Sequence, residues 1–141
     1  MLIRLALPTD RPTLEAFARA AMAERGYEAS IGPVDWATIE LTETAVAFLA
    51  CDPEPIGCFI AGLVEHPLSG QVYAEQMLWY VMPARRYGRA GRQLLDAVEQ
   101  FCCQRDIKRL RLVQPSARPR SARSFRKRGY TAIEVAWVKT L

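Results

Sequence analysis

The sequence predicts an α/β (α+β) domain built on one mixed sheet with helices on both faces. Three observations predict it. Segments that alternate every second residue, as strands do, are interleaved with segments at helical spacing. The strand-type segments between residues 45 and 82 follow one another through short turns, as antiparallel neighbours do. Half of the 141 residues are hydrophobic, enough for a real core, and the length suits one domain spanning 1–141.

In order, Ile3, Leu5 and Leu7 alternate with Arg4 and Ala6, which predicts a first strand. Thr9-Asp10 offers a helix cap and Pro12 suits a first turn. Leu14, Phe17, Ala18, Ala21 and Met22 then recur at helical spacing, and a second short helix is expected over residues 34–43. Ala45–Cys51 is a second strand, turned back at Asp52-Pro53-Glu54-Pro55 into a third over Ile56–Val64. A turn from His66 to Gly70 leads to a long fourth strand, Val72–Met82. Gly91–Cys103 is a helix whose apolar face holds Leu94, Leu95, Val98, Phe101 and Cys102. Leu110–Val113 is a fifth strand, Ser121–Arg128 a short helix closed by Gly129, and Thr131–Thr140 a last strand. The order is β-α-α-β-β-β-α-β-α-β.

Composition narrows the function classes. The four cysteines, Cys51, Cys58, Cys102 and Cys103, form no CxxC pair, and His66, the one histidine, is distant from them, so no metal site is expected. Cys102 and Cys103 read as buried thiols in an apolar helix. No apolar run approaches the roughly 20 residues of a membrane span. The start, MLIRLALPTD, reads as a strand rather than an export signal, which places the chain in a reducing cytoplasm. Charge is segregated: residues 1–80 carry 4 Lys/Arg and 11 Asp/Glu, residues 81–141 carry 15 and 4. Such a basic half suits a polyanion, either nucleic acid or a phosphorylated cofactor.

The segment Val81-Met82-Pro83-Ala84-Arg85-Arg86-Tyr87-Gly88-Arg89-Ala90-Gly91-Arg92 carries the chemistry. A strand ends in a loop with two glycines and four arginines, and an amphipathic helix follows at once. Backbone N–H groups at a helix N-terminus bind phosphate, glycines let it approach the backbone, and arginines add charge-assisted hydrogen bonds. There is no Gly-Lys-Ser/Thr and no GxGxxG, so neither a nucleotide P-loop nor a dinucleotide fingerprint is present.

This segment resembles the pyrophosphate loop of the GNAT superfamily of acyl-CoA-dependent N-acetyltransferases, Arg/Gln-x-x-Gly-x-Gly/Ala. Arg85-Arg86-Tyr87-Gly88-Arg89-Ala90 fits it literally. Counting from Pro83 to Leu94-Leu95 instead selects Arg86-Tyr87-Gly88-Arg89-Ala90-Gly91, with Arg89 in place of the first glycine. Both registers stand. The resemblance runs from Ile3-Arg4 to the final strand, includes Lys127-Arg128-Gly129-Tyr130, and around Ala74–Gly91 is similar to phage- and prophage-encoded members. It implies a mostly antiparallel twisted sheet and acetyl-CoA as acyl donor. It also implies a primary amine as acceptor and a homodimer as one form.

The resemblance implies site residues as well. The amides from Arg86 to Arg92 would cradle the phosphates, and Val81 and Pro83 would meet the pantetheine arm as an added strand does. Val81 N–H would polarise the acyl carbonyl. Glu75, six residues before Val81, takes the place of the family's base. On a regular strand it shares a face with Tyr73, Met77, Trp79 and Val81, where desolvation raises a carboxyl pKa. Glu65, at a turn, is the runner-up. Phe125 stands where relatives keep a tyrosine acid, beside Ser124, and Arg118 where they keep an asparagine. A phenyl ring gives no proton, so Ser124, Tyr87 and Tyr130 are the nearby hydroxyls to weigh. Trp36 and Tyr27 lie near the acceptor side.

Two other readings use the same residues. A GNAT-fold protein that binds coenzyme A without turnover fits Phe125. A nucleic-acid binder fits Arg118, Arg120, Arg123, Arg126, Lys127 and Arg128, although no recognition motif accompanies them.

Overall fold

The computed structural model describes residues 1–25, 43–114, 120–137, 139 and 141. Five strands form one sheet in the order β1-β2-β3-β4-β5: β1 is Leu2–Leu5, β2 Ala45–Cys51, β3 Pro55–Glu65, β4 Val72–Val81 and β5 Leu110–Arg111. The first four are antiparallel neighbours and β5 runs parallel to β4. The helices are α1, Arg11–Arg25, α2, Ala90–Gln104, and α3, Arg120–Lys127. Since β4 and β5 are parallel, their connection must cross over, and α2 makes that crossover.

The alternation seen in the sequence becomes two cores on opposite faces. Leu14, Phe17 and Ala21 of α1 pack with Ala47, Leu49, Cys51, Cys58, Ile60 and Tyr80. Leu94, Leu95, Val98 and Cys102 of α2 pack with Val46, Phe48, Ala50, Phe59, Ala61 and Val81. All seven residues of β2 are buried, because helices cover both sides of it. The Cys102 and Cys103 expectation is half right. Neighbouring helical residues point about 100° apart, so Cys102 is buried and Cys103 exposed. Burial pushes the Cys58 thiol up to about 12 and the Cys102 thiol to about 11.

Asp10 stands immediately before α1 and closes the short turn, Pro8–Asp10, that leads into it. Its carboxylate accepts from the Leu7 amide at 2.7 Å and from both terminal nitrogens of Arg4 at 2.7 and 2.9 Å. The Arg4 guanidinium holds the Asp10 carboxyl down to about 2.

The C-terminal expectation needs correction. Residues 131–137 alternate as a strand would, yet they form none. A strand exists by pairing, and β5 stops at Arg111, so no ladder extends to them. Ile133, Val135 and Trp137 stand exposed, and Glu134 is ion-paired with Arg111. Gly129, at φ +89°, ends α3 in a conformation that favours glycine. The helix expected over 34–43 falls on residues outside the described ones, except at Glu43, as do Tyr27, Trp36 and Arg118. Among the described residues no helix is long and apolar enough to cross a membrane.

Candidate active site

The site is built on one edge of β4, and backbone phase decides which groups it offers. In an antiparallel pair, residues alternate between pointing both backbone groups at the partner and pointing both away. The Met82 amide donates to Ile56 of β3 at 2.9 Å. Tyr80 and Leu78, opposite Cys58 and Ile60, therefore also face β3. Trp79 and Val81 face the other way, toward β5. But β5 pairs with β4 only at Ala74 and Glu75, so among the described residues no strand pairs with the edge beside Trp79 and Val81, hereafter the open edge. The Val81 carbonyl confirms the phase, since Arg86 Nε donates to it at 2.8 Å.

Immediately beyond, Pro83–Arg85 forms a single tight turn and α2 starts at Ala90. The amides of Arg85, Arg86 and Gly88 are used within the turn, by Met82, Pro83 and Arg85 carbonyls. The first amide with a helical acceptor is Gln93, bonded to Arg89 at 2.9 Å. Ala90, Gly91 and Arg92 thus occupy the helix positions whose N–H groups have no intrahelical acceptor. Of the expected phosphate cradle, these three are the amides at the helix end; those of Arg86 and Gly88 are engaged internally.

The four loop arginines divide in the same way. Arg85 pairs with Asp52 at 3.0 Å. Arg86 binds Glu24 of α1, the Val81 carbonyl and the Tyr80 ring face, 5.5 Å from its centroid. That side chain ties α1 to the loop through the Glu24 carboxylate. Arg89 and Arg92 are exposed and carry no ion pair among the described residues, as do Arg123, Arg126 and Lys127 on α3. Tyr87 is fully exposed.

Glu75 does not share the face expected for it. A bulge between Ile60 and Ala61 sets Ile60 opposite Leu78 and Ala61 opposite Gln76, so Met77 is an extra residue. The bulge reverses the alternation. Glu75, opposite Gly62, lies on the α1 face with Leu78 and Tyr80, while Trp79 and Val81 lie on the α2 face. The Glu75 side chain is one third exposed and 3.7 Å from Arg111, not in an apolar setting. Glu65 ends β3 and is exposed.

Phe125 projects from α3 onto the Trp79 side chain on the α2 face. Its ring stacks on Trp79 at 6.1 Å and 26°, and meets Tyr130 at 5.9 Å. Ser124 is exposed on the same helix. The Tyr130 hydroxyl donates to Glu99 at 2.7 Å, and Arg128 bridges Glu99 and Asp96. Burial and the Glu99 carboxylate push the Tyr130 hydroxyl well above its ordinary pKa. We expect Phe125→Ala to lower stability by about 1–3 kcal/mol through lost stacking. Phe125→Tyr should keep the wild-type melting temperature within about 2 °C, because the ring stays and the added hydroxyl reaches solvent. A melt in which the tyrosine variant fell as far as the alanine variant would contradict the stacking role.

Three contributors escaped the sequence: the Trp79 edge, the Arg86 tie and Gln76, which bonds Val113 at 3.1 Å. The Val81 parity could have found Trp79. The partners of Arg86 and Gln76 lie 62 and 37 residues away and leave no local signal.

Comparisons with known proteins fit this geometry. Solved structures with the same fold include an aminoglycoside acetyltransferase, meta-AAC0020, from an uncultured soil metagenomic sample, in complex with sisomicin. It shows 16% identity and a TM-score of 0.75 over 99% of this chain and 95% of that one. Ribosomal-protein-alanine N-acetyltransferase from Brucella melitensis biovar Abortus 2308 gives 17% and 0.72, over 99% and 98%. AAC(6')-Iy, bound to a bisubstrate analogue of coenzyme A and acetylneamine, gives 14% and 0.75, over 99% and 97%. At such identities the likeness shows the fold alone. No curated protein matches the chain. The model of the acetyltransferase (GNAT) family matches residues 11–130, most of the chain, and the chain belongs to that family.

Proposed function

We propose that the chain moves an acetyl group from acetyl-CoA to a primary amine by direct attack. The observation that supports this most is the open β4 edge at Trp79 and Val81, running straight into the N-terminus of α2, with Arg89 and Arg92 exposed beside it and carrying no ion pair among the described residues. An amide-bearing arm fits such an edge by strand-like pairing, and a pyrophosphate fits such a helix end.

Val81 N–H and Trp79 N–H offer donors to that edge, and Ala90, Gly91 and Arg92 offer amides to the phosphates. Pro83 shapes the turn between the two. The exposed α3 cations, Arg123, Arg126 and Lys127, suit a further phosphate near Ser124. Acetyl-CoA supplies the activated acyl group and a thiol leaving group of pKa about 8.5. Val81 N–H is the donor assigned to the acyl carbonyl. Glu75 is the assigned base. From Val81 it lies about 17–20 Å along the strand and on the opposite face, beyond direct reach of the amine, so the amine proton passes to it along a chain of several waters. Phe125 donates nothing, and the Tyr130 hydroxyl is held by Glu99. A poor acid is tolerable here, because a thiolate leaves far more readily than an amine.

The test is a thermal melt followed by turnover. At a concentration about 100 times its Kd, acetyl-CoA stabilises the native state by about 2.7 kcal/mol, a rise of several degrees. Dephospho-CoA should give less if the α3 cations read the outer phosphate. Turnover is then sought with an aminoglycoside and with a peptide bearing an alanine N-terminus, the acceptor types that the names of two structural neighbours suggest. No melting shift at millimolar acetyl-CoA with folded protein overturns the reading. A shift without turnover on a wide amine panel would favour a coenzyme A-binding protein without catalysis.

A further inference from the structure

Gln76 is the one buried polar side chain among the described residues of the core, 8% exposed on the α2 face beside Ala61. Its place in the β4–β5 ladder explains why a polar group is kept there. In a parallel pair, one residue donates to the partner residue before its opposite number and accepts from the one after it. The Ala74 amide donates to the Arg109 carbonyl at 2.9 Å, with Ala74 opposite Leu110. Continuing that pattern by two residues, the Val113 amide belongs on the main-chain carbonyl of Gln76. It is bonded instead to the side-chain Oε1 of the same residue, at 3.1 Å.

The ladder thus breaks at the residue whose side chain replaces its own main chain as acceptor. β5 is held off by the length of a glutamine side chain, and the departing Val113 amide stays satisfied while it leaves. Without that acceptor, the amide would be lost to water or would close onto β4, and a closed ladder would cover the edge toward Trp79. The bulge at Met77 follows at once and turns the backbone groups of Trp79 and Val81 toward the opening.

We infer that Gln76 is a positioning residue: its side chain acts as a spacer that props β5 away from β4 and so keeps open the edge on which acetyl-CoA docks. The inference rests on the proposed function for what enters the opening, but not for the opening itself. Both parts are testable on the full chain.

Three variants separate length, volume and hydrogen bonding. Gln76→Ala removes spacer and acceptor. Gln76→Met keeps the volume and removes the acceptor. Gln76→Glu keeps an oxygen acceptor at the same reach. The first readout is made without acetyl-CoA, by NMR contacts between the backbone at 76–77 and the amide of Val113. In Gln76→Ala, the Val113 amide should move onto the main-chain carbonyl at position 76, bringing new short contacts. The second readout is the acetyl-CoA Kd. It should rise at least tenfold in Gln76→Ala and Gln76→Met, with rescue to within about threefold in Gln76→Glu. In steady state the loss should fall on KM for acetyl-CoA, with KM for the amine unchanged, which a general loss of stability would not produce.

If wild type fails to bind acetyl-CoA, the proposed function falls, and the spacer is still judged by the NMR contacts. If wild type binds and Gln76→Ala binds within twofold of it, the spacer role is overturned. It is equally overturned if Val113 keeps its position in Gln76→Ala.

Discussion

Gly57→Ala is expected to cost the fold about 2–3 kcal/mol, and Gly57→Val more. Gly57 lies on β3 opposite Val81. A Cβ there would come 2.6 Å from the Tyr80 carbonyl oxygen and 3.1 Å from both Val81 Cα and Cγ2. Two of those atoms are backbone, and they belong to the strand that carries the open edge, so relief requires moving β4 itself. Urea unfolding gives the measurement, with a lowered midpoint and an unaltered slope as the expected pattern. Gly91→Ala is the matched comparison. Its Cβ would meet Trp79 and Val81 at 3.8–3.9 Å, ordinary contact distances, so the fold should accept it. A Gly57→Ala variant as stable as wild type would show that β3 and β4 can part at the site without loss.

Glu75→Gln is expected to lower acetyl transfer roughly 100-fold at neutral pH while acetyl-CoA affinity changes less than about threefold. Glutamine keeps the size of the side chain and its place opposite Gly62, but it takes no proton. It also gives up the ionic contact with Arg111 at 3.7 Å, which is partly exposed and worth under about 1 kcal/mol, so folding should be retained. Single-turnover transfer at saturating acetyl-CoA isolates the chemical step. Turnover equal to wild type would move proton removal to solvent or to another group.

Elements with strong periodicity were legible in the sequence. Leu94, Leu95, Val98 and Cys102 repeat at helical spacing and do face the sheet, and β2 to β4 fall within a residue of their expected bounds. The strand–loop–helix passage from Val81 to Ala90 was legible too, because glycine, proline and arginine act locally. What failed depends on distant partners. Nothing near Met77 announces that β4 gains a residue against β3, yet that residue moved Glu75 to the opposite face from Val81. The pairing of Arg85 with Asp52 and of Arg86 with Glu24 was not legible either, because folding alone brings those carboxylates to the loop. Residues 131–137 have a strand's alternation, but alternation cannot supply the neighbour that β5 ends too early to provide.

The burial of β2 on both faces has a consequence for cooperativity. Ala47, Leu49 and Cys51 belong to the core under α1, while Val46, Phe48 and Ala50 belong to the core under α2. Lifting off either helix would wet one side of the same seven residues and withdraw support from the packing on the other. The two layers are therefore joined through a shared middle, and melting either should carry the other with it. Calorimetry on the full chain should show one transition whose measured and van't Hoff enthalpies agree.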